Sequence, residues 1–343
     1  MSQHQEDPLT YAAAGVDVEA GERAVALMRA AVEATHSRNV LGGLGGFAGL
    51  WALGLGPAGW RDPVLASSTD GVGTKLLIAQ ALDRHDTVGL DLVGMVVDDL
   101  VVSGARPLFL LDYLAVGRLV PERVAAIVQG VAEGCRRAGC ALLGGETAEH
   151  PDAMEQDAYD LAGFAVGLVE RERLLGPERV RPGDVLLAIA SSGLHSNGFA
   201  LARRVLDRAG VGYDRVFPEL GRPIGEALLE PTRIYAPDLL ALLDEGVELH
   251  ALCHVTGGGL PGNLPRSLPP GLTTQVDRAA WTPPAIFQLL AALGPVEDAE
   301  LARATNLGVG MVAILPPAEA HRAAHFLGTR GLQTWIMGEV VPA

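Results

Sequence analysis

The sequence predicts a two-domain α+β protein, with residues 1–172 forming the first domain and 173–343 the second. Three observations lead there. A chain of 343 residues is longer than one ordinary core requires. Apolar strand-like runs alternate with segments of helical period in both halves. Charge, Pro and Gly collect over 170–183, around "RERLLGPERVRPG", as at a domain junction.

The elements follow in order. Residues 1–20 form a polar lead-in, and Val25, Met28, Ala31 and Val32 set a helical stripe over 21–35. A glycine-rich loop is expected over 36–62, then a strand at 63–70 that ends in an acid, Asp70. Residues 86–104 keep a 3.6-residue period behind Asp86-Thr87, a capping pair. "PLFLLDYLAVG" (107–117) reads as a strand. Residues 121–139 read as a helix, with Pro first, Arg late and Gly after. Strands are expected at 140–143 and 159–169. The second half continues with a strand at 184–190, helices at 198–209 and 232–245, and a helix near 259–267. A strand at 309–315, a helix at 317–328 and a strand at 332–340 close the chain.

Composition narrows the function. Hydrophobic residues make up 49% and aromatics 5%, so the core is built from aliphatic side chains. The net charge is −15, and no basic run is longer than a pair, which argues against a nucleic-acid partner. Phosphates must therefore be held by local devices. Cys135, Cys140 and Cys253 are odd in number and contain no C-x-x-C, so neither a disulfide framework nor a zinc site is indicated. The acidic opening "MSQHQEDPLT" is unlike a signal peptide, and no apolar run approaches ~18 residues. The expectation is a cytoplasmic protein with no membrane segment.

Neither a P-loop nor a dinucleotide fingerprint between strand and helix occurs. Chemistry gathers instead in four loops and one helix. In "STDGVGTKL", Asp70 is a hard oxygen ligand suited to Mg²⁺, and Gly71 and Gly73 allow a sharp turn before Thr74 and Lys75. Lys75 is the single lysine among 26 basic residues, so a compact ammonium is required where a planar guanidinium does not serve. In the helix at 86–104, Asp91 and Asp98 nearly eclipse, and Asp99 lies about 80° from Asp91. Among such apolar neighbours these carboxylates need partners, and a metal is one answer. "LLGGETAE" repeats the strand, glycine and acid order with Glu146. "SSGLHSNG" carries Ser192, His195, Ser196 and Asn197 from a strand into a helix, an anion site by construction. "HVTGGG" repeats that design with His254, Thr256, Gly257 and Gly258.

The ordered set resembles the phosphoribosylformylglycinamidine cyclo-ligases (aminoimidazole ribonucleotide synthetases) along essentially the whole chain. It runs through "YAAAGVDVEAGE", "GGLGGFAGL", "STDGVGTKL", "HDTVGLDLVGMVVDDLVVSGARPLFLLDYLA", "GGETAE", "YDLAGFAVGLVE", "GDVLLAIASSGLHSNGF", "PTRIY", "HVTGGG" and "NLGVGM". "GVD" and "FLLDYLA" favour this family over selenophosphate synthetase and thiamine-phosphate kinase. The lack of any Cys before Cys135 also argues against a selenophosphate enzyme.

The resemblance implies ATP-dependent closure of formylglycinamidine ribonucleotide to aminoimidazole ribonucleotide in purine biosynthesis, through an iminophosphate, with release of ADP and phosphate. It implies a homodimer whose N-terminal domains share a barrel of strands, beside an α+β C-terminal domain. It assigns Asp70, Asp99 and Glu146 to Mg²⁺. Gly42, Gly43, Gly45, Gly46, Gly71, Gly73, Thr74 and Lys75 go to ATP, with "GGLGGF" as a cover. Ser192, His195, Ser196, Asn197, Thr256, Gly257 and Gly258 face the substrate, and Lys75 and His195 are the catalytic pair. The sequence departs from the family pattern at three places. Asp98-Asp99 stands for the usual Asn-Asp, His150-Pro151-Asp152 for Met-Pro-Gly, and Thr305 for an aromatic residue.

Overall fold

The computed structural model describes residues 10, 40–41, 49–52, 60–150 and 153–343. The helix expected at 21–35 and the glycines Gly42, Gly43, Gly45 and Gly46 lie outside the described residues, as do Pro151 and Asp152.

The described chain is mixed α+β and builds two sheets. The first runs β1-β2-β3-β6-β4-β5. Its strands are β1 (Val40–Leu41), β2 (Gly49–Ala52), β3 (Pro63–Gly71), β4 (Arg106–Val116), β5 (Ala141–Glu149) and β6 (Tyr159–Glu170). Pairing is antiparallel except between β4 and β5. Three helices accompany it, α1 (Leu76–Ala81), α2 (Val88–Val101) and α3 (Pro121–Ala138). α2 lies on one face of β3, β4 and β6, with α3 beside it against β4 and β5. The approach of α2 to α3 depends on Gly89, where an added Cβ would stand 2.1 Å from the Val131 nitrogen.

The second sheet runs β8-β10-β7-β11-β9, all antiparallel. Its strands are β7 (Val185–Ala190), β8 (Ala251–His254), β9 (Leu272–Val276), β10 (Val309–Leu315) and β11 (Thr334–Pro342). The helices around it are α4 (Phe199–Ala209), α5 (Ile224–Leu228), α6 (Ala236–Asp244), α7 (Gly259–Asn263), α8 (Ala285–Leu293), α9 (Asp298–Ala304) and α10 (Pro317–Thr329). β10 is buried along its whole length, as a central strand covered on both faces should be.

One apolar cluster runs through both halves and includes Leu92 and Val96 of α2 with Leu239 and Leu242 of α6. α2 therefore belongs to the first domain by sequence and to the seam between domains by packing. That position explains why its carboxylates meet residues far along the chain.

Several expectations are corrected. The stretch 36–62 is not all loop, since β1 and β2 pair within it. The strand expected to stop at 143 continues to Glu149, because the parallel ladder with β4 carries it across an irregularity at Leu110/Leu111. The helix expected at 232–245 begins only at Ala236, because the backbone before it is taken up by acids of α2. The helix near 259–267 ends at Asn263 and tightens into a 3₁₀ turn over Leu264–Ser267, where Pro265 cannot donate a helical hydrogen bond. The elements β8, β9, α1, α5, α8 and α9 have no counterpart among the expectations.

Candidate active site

The strand β3 delivers Asp70 to its end, and Gly73–Lys75 form one 3₁₀ turn, with Gly73 at φ +70°. Across the seam, β7 ends at Ala190 and the 191–198 turn leads into α4, with Gly198 at φ +80°. The two loops meet. Asp70, Gly71, Gly73, Thr74 and Met95 line a cleft of about 250 Å³ together with Ser196, Asn197, Gly198 and Phe199. The glycine loop 256–258 joins from β8, since an added Cβ at Gly257 would lie 3.3 Å from the Asn197 side-chain oxygen.

The acids of α2 divide their work. Asp91 and Asp98 are fully buried. Asp91 Oδ1 accepts from Lys75 Nζ at 2.7 Å, from the Thr232 nitrogen at 2.7 Å and from Thr232 Oγ1 at 2.6 Å. Asp98 Oδ1 accepts from the backbone nitrogens of Tyr235 and Ala236, at 2.9 and 2.8 Å, and so caps α6. Protein donors thus answer, at Oδ1, the need that a metal was invoked to meet for Asp91 and Asp98, while Oδ2 of each is buried without a hydrogen-bond partner. Burial pushes the Asp98 carboxyl up to about 7.

Asp99 turns toward β8, and His254 Nδ1 donates to its Oδ1 at 2.8 Å. Asp70 Oδ1 accepts from the Gly71 nitrogen at 2.7 Å. Burial raises the Asp70 carboxyl, and the nearby Asp99 charge raises it further. Each acid keeps a second oxygen. Two hard, half-buried carboxylates that repel one another suit a divalent cation, since Mg²⁺ takes one or two carboxylates and completes its shell with phosphate oxygens and water. Among the described residues no group of three His, Cys, Asp or Glu converges to hold an ion. Glu146 in particular does not join this pair. It sits within β5 in register with Tyr113, exposed on the outer face, whereas Asp70 shares a row with Gly163 and Asp112 on the face under α2.

Lys75 is also placed otherwise than expected. Its side chain is wholly buried, and its ammonium contacts Asp91, the His195 carbonyl at 3.2 Å and the Glu230 carbonyl at 2.7 Å. Burial pulls it below the ordinary lysine value, against the opposing Asp91 charge. With three acceptors engaged and no surface open to the cleft, it is not presented to a phosphate.

His195 is 1% exposed, at φ +62°. Its Nε2 accepts from the Ser192 nitrogen at 3.2 Å, so the ring braces its own turn. Burial holds it well below the usual histidine value, and His254 and Lys75 add to that effect. A neutral, enclosed imidazole is not presented to the cleft as a member of the expected catalytic pair. Ser192 Oγ donates to the Pro231 carbonyl, which leaves Ser196, Asn197 and the loop backbone at the cleft.

Two asparagines that sequence reasoning missed organise the loops. Asn263 Nδ2 donates to the carbonyls of Gly257 and Gly259 and so shapes the 256–259 turn. Asn306 donates to the Gly193 carbonyl and accepts from Ser191 Oγ and the Gly308 nitrogen. Only their places, in "GGGLPGN" and "NLGVGM", could have pointed to them. Thr305 is buried, and its methyl would lie 2.8 Å from a Cβ at Gly198, so it packs under the substrate-side turn. No helix among the described residues is long and apolar enough to cross a membrane.

Comparison with known proteins bears on the family and the fold. Residues 59–169 match the family model "AIR synthase related protein, N-terminal domain", and 181–343 match its C-terminal counterpart. The chain is 52% identical to the phosphoribosylformylglycinamidine cyclo-ligase of Sorangium cellulosum (strain So ce56), over 97% of this chain and 95% of that one. Its fold is similar to that of tt0281 from Thermus thermophilus, with TM-score 0.66 and 23% identity over 96% of each chain. The hydrogenase maturation protein HypE in complex with ATP also shares it, with TM-score 0.60 and 20% identity over 84% of this chain and 78% of that one. The chain belongs to the family of phosphoribosylformylglycinamidine cyclo-ligases.

Proposed function

We propose that the protein closes the imidazole ring of aminoimidazole ribonucleotide from formylglycinamidine ribonucleotide, using ATP and releasing ADP and phosphate, in de novo purine biosynthesis. The observation that carries this reading is the single cleft in which the Asp70–Thr74 turn faces Ser196–Phe199. Family membership supports the substrate, and the ATP complex of a protein with the same fold supports the nucleotide.

The nucleotide phosphates lie against Gly71, Gly73 and Thr74, whose backbone can approach closely because two of these residues lack a Cβ. Asp70 and Asp99 hold Mg²⁺, which neutralises phosphate charge when bound. Gly42, Gly43, Gly45 and Gly46 are assigned to ATP. The substrate 5′-phosphate sits on the turn of Ser196 and Asn197 at the start of α4, with Thr256, Gly257 and Gly258 closing the other side. The formamide oxygen takes the γ-phosphoryl group and ADP leaves. The ribose-bearing amidine nitrogen then attacks the formyl carbon, phosphate departs with that oxygen, and ring protons are lost to give the aromatic product. Excluding water protects the activated intermediate from hydrolysis.

The domains are assigned as 1–172 for nucleotide and dimer contacts and 173–343 for substrate. The protein works in the cytoplasm as a homodimer with a barrel of strands shared between copies. Leu111, Tyr113, Leu143 and Phe164 leave an apolar outer face on β4, β5 and β6, and a second copy covers it. Incubation with ATP, Mg²⁺ and formylglycinamidine ribonucleotide tests the reading. Aminoimidazole product and ADP should form in equal amounts, and ADP formation without the ring would refute it.

A further inference from the structure

Lys75 stands where three parts of the chain meet. Its ammonium donates to Asp91 on α2, to the carbonyl of His195 in the 191–198 turn, and to the carbonyl of Glu230 just before Pro231-Thr232. Asp91 Oδ1 also accepts both donors of Thr232, and Thr232 Oγ1 lies 3.3 Å from Ser196 Oγ. One ammonium and one carboxylate oxygen thus tie the first-domain helix to two segments of the second domain. Three donors in tetrahedral array meet three acceptors inside a closed site. A guanidinium, planar and with five donors, would leave some of them unsatisfied there. This accounts for the single lysine of the chain.

The tie begins at the cleft. Gly73 and Thr74 line it, and Lys75 is the next residue of the same 3₁₀ turn. Its far end holds the carbonyl of His195, a residue at φ +62°. A non-glycine residue rarely adopts that conformation unaided, so the turn keeps its shape through its partners.

We propose that Lys75 is a positioning residue that couples the two ends of the cleft, so that seating a nucleotide on the 70–74 turn sets the 192–198 turn for substrate. The inference rests on the placement of nucleotide and substrate given above, and it replaces direct phosphate contact as the role of this lysine. Thermodynamic coupling of this kind is reciprocal and commonly ranges from about 5- to 150-fold.

Calorimetry tests it. Binding of formylglycinamidine ribonucleotide is measured with and without a non-hydrolysable ATP analogue and Mg²⁺, in the wild-type chain, in Lys75→Met and in Thr232→Val. The wild type should bind substrate about tenfold more tightly when the analogue is present. Lys75→Met should still bind the analogue within about threefold of wild type but show a coupling factor near one. Amides of 191–198 should also exchange hydrogen faster in that variant. Thr232→Val keeps the lysine and loosens Asp91, so its coupling should be intermediate, and it carries the test if Lys75→Met does not fold. Full coupling in either folded variant overturns the inference, as does a wild-type factor of one with both ligands bound. Failure of the wild type to bind either ligand overturns the functional reading itself, and the inference with it.

Discussion

His254 Nδ1 stands 2.8 Å from Asp99 Oδ1, linking the last residue of β8 to the end of α2. The imidazole is fully buried, and Asp99 is the one acid of α2 not committed to capping α6 or to Lys75. A histidine so placed fixes which way the carboxylate points, and such partners govern metal affinity from outside the coordination shell.

His254→Phe should therefore raise the Mg²⁺ concentration for half-maximal activity by about tenfold or more. Direct titration with Mn²⁺, followed by its paramagnetic signal, should show the same loss without turnover. Unchanged metal affinity would mean that the pair only braces the seam.

Asp98 should make stability depend on pH. Its carboxyl is pushed up to about 7 by burial, so the folded chain holds a proton there that the unfolded chain releases near pH 4. Its favourable contribution is complete below about pH 4 and is lost progressively as pH rises to about 7. Asp98→Asn keeps an acceptor for the Tyr235 and Ala236 nitrogens without an ionisable group. The variant should melt several degrees above the wild type at pH 8 and by a clearly smaller margin at pH 5. An equal difference at both pH values would reject the assignment.

His195→Ala should lower the melting temperature, because an enclosed ring and its hydrogen bond from the Ser192 nitrogen are removed. KM for the nucleotide substrate should rise more than KM for ATP, through loss of turn geometry. The pH profile of kcat should keep its shape, because a histidine held neutral by burial does not titrate in the working range. A missing limb in that profile would restore His195 to the catalytic pair.

Leu143→Glu places a charge in the apolar outer face, where Leu143 is 62% exposed in the single chain. The wild type should be a dimer by light scattering at micromolar concentration, and the variant a monomer. An unchanged dimer would put the interface elsewhere.

Sequence legibility follows from where each partner lies. The strands β3, β4 and β10 could be read because their apolar runs are local. The single lysine signalled a special site, but two of its three acceptors are backbone carbonyls 120 and 155 residues away, and a carbonyl carries no sequence mark. Helical spacing showed that Asp91, Asp98 and Asp99 could not all face water. It did not show that the "PTRIY" segment would supply donors for Asp91 and Asp98. Glu146 was misplaced because its strand is extended by a parallel neighbour far earlier in the chain.

The fate of one oxygen atom tests the proposed chemistry most directly. Formylglycinamidine ribonucleotide carrying ¹⁸O in the formyl group is turned over with ATP and Mg²⁺, and the released phosphate is weighed by mass spectrometry. Activation at the formamide oxygen requires that atom to leave bonded to phosphorus, so each phosphate should contain one ¹⁸O. Unlabelled phosphate, with the label in water, would contradict it.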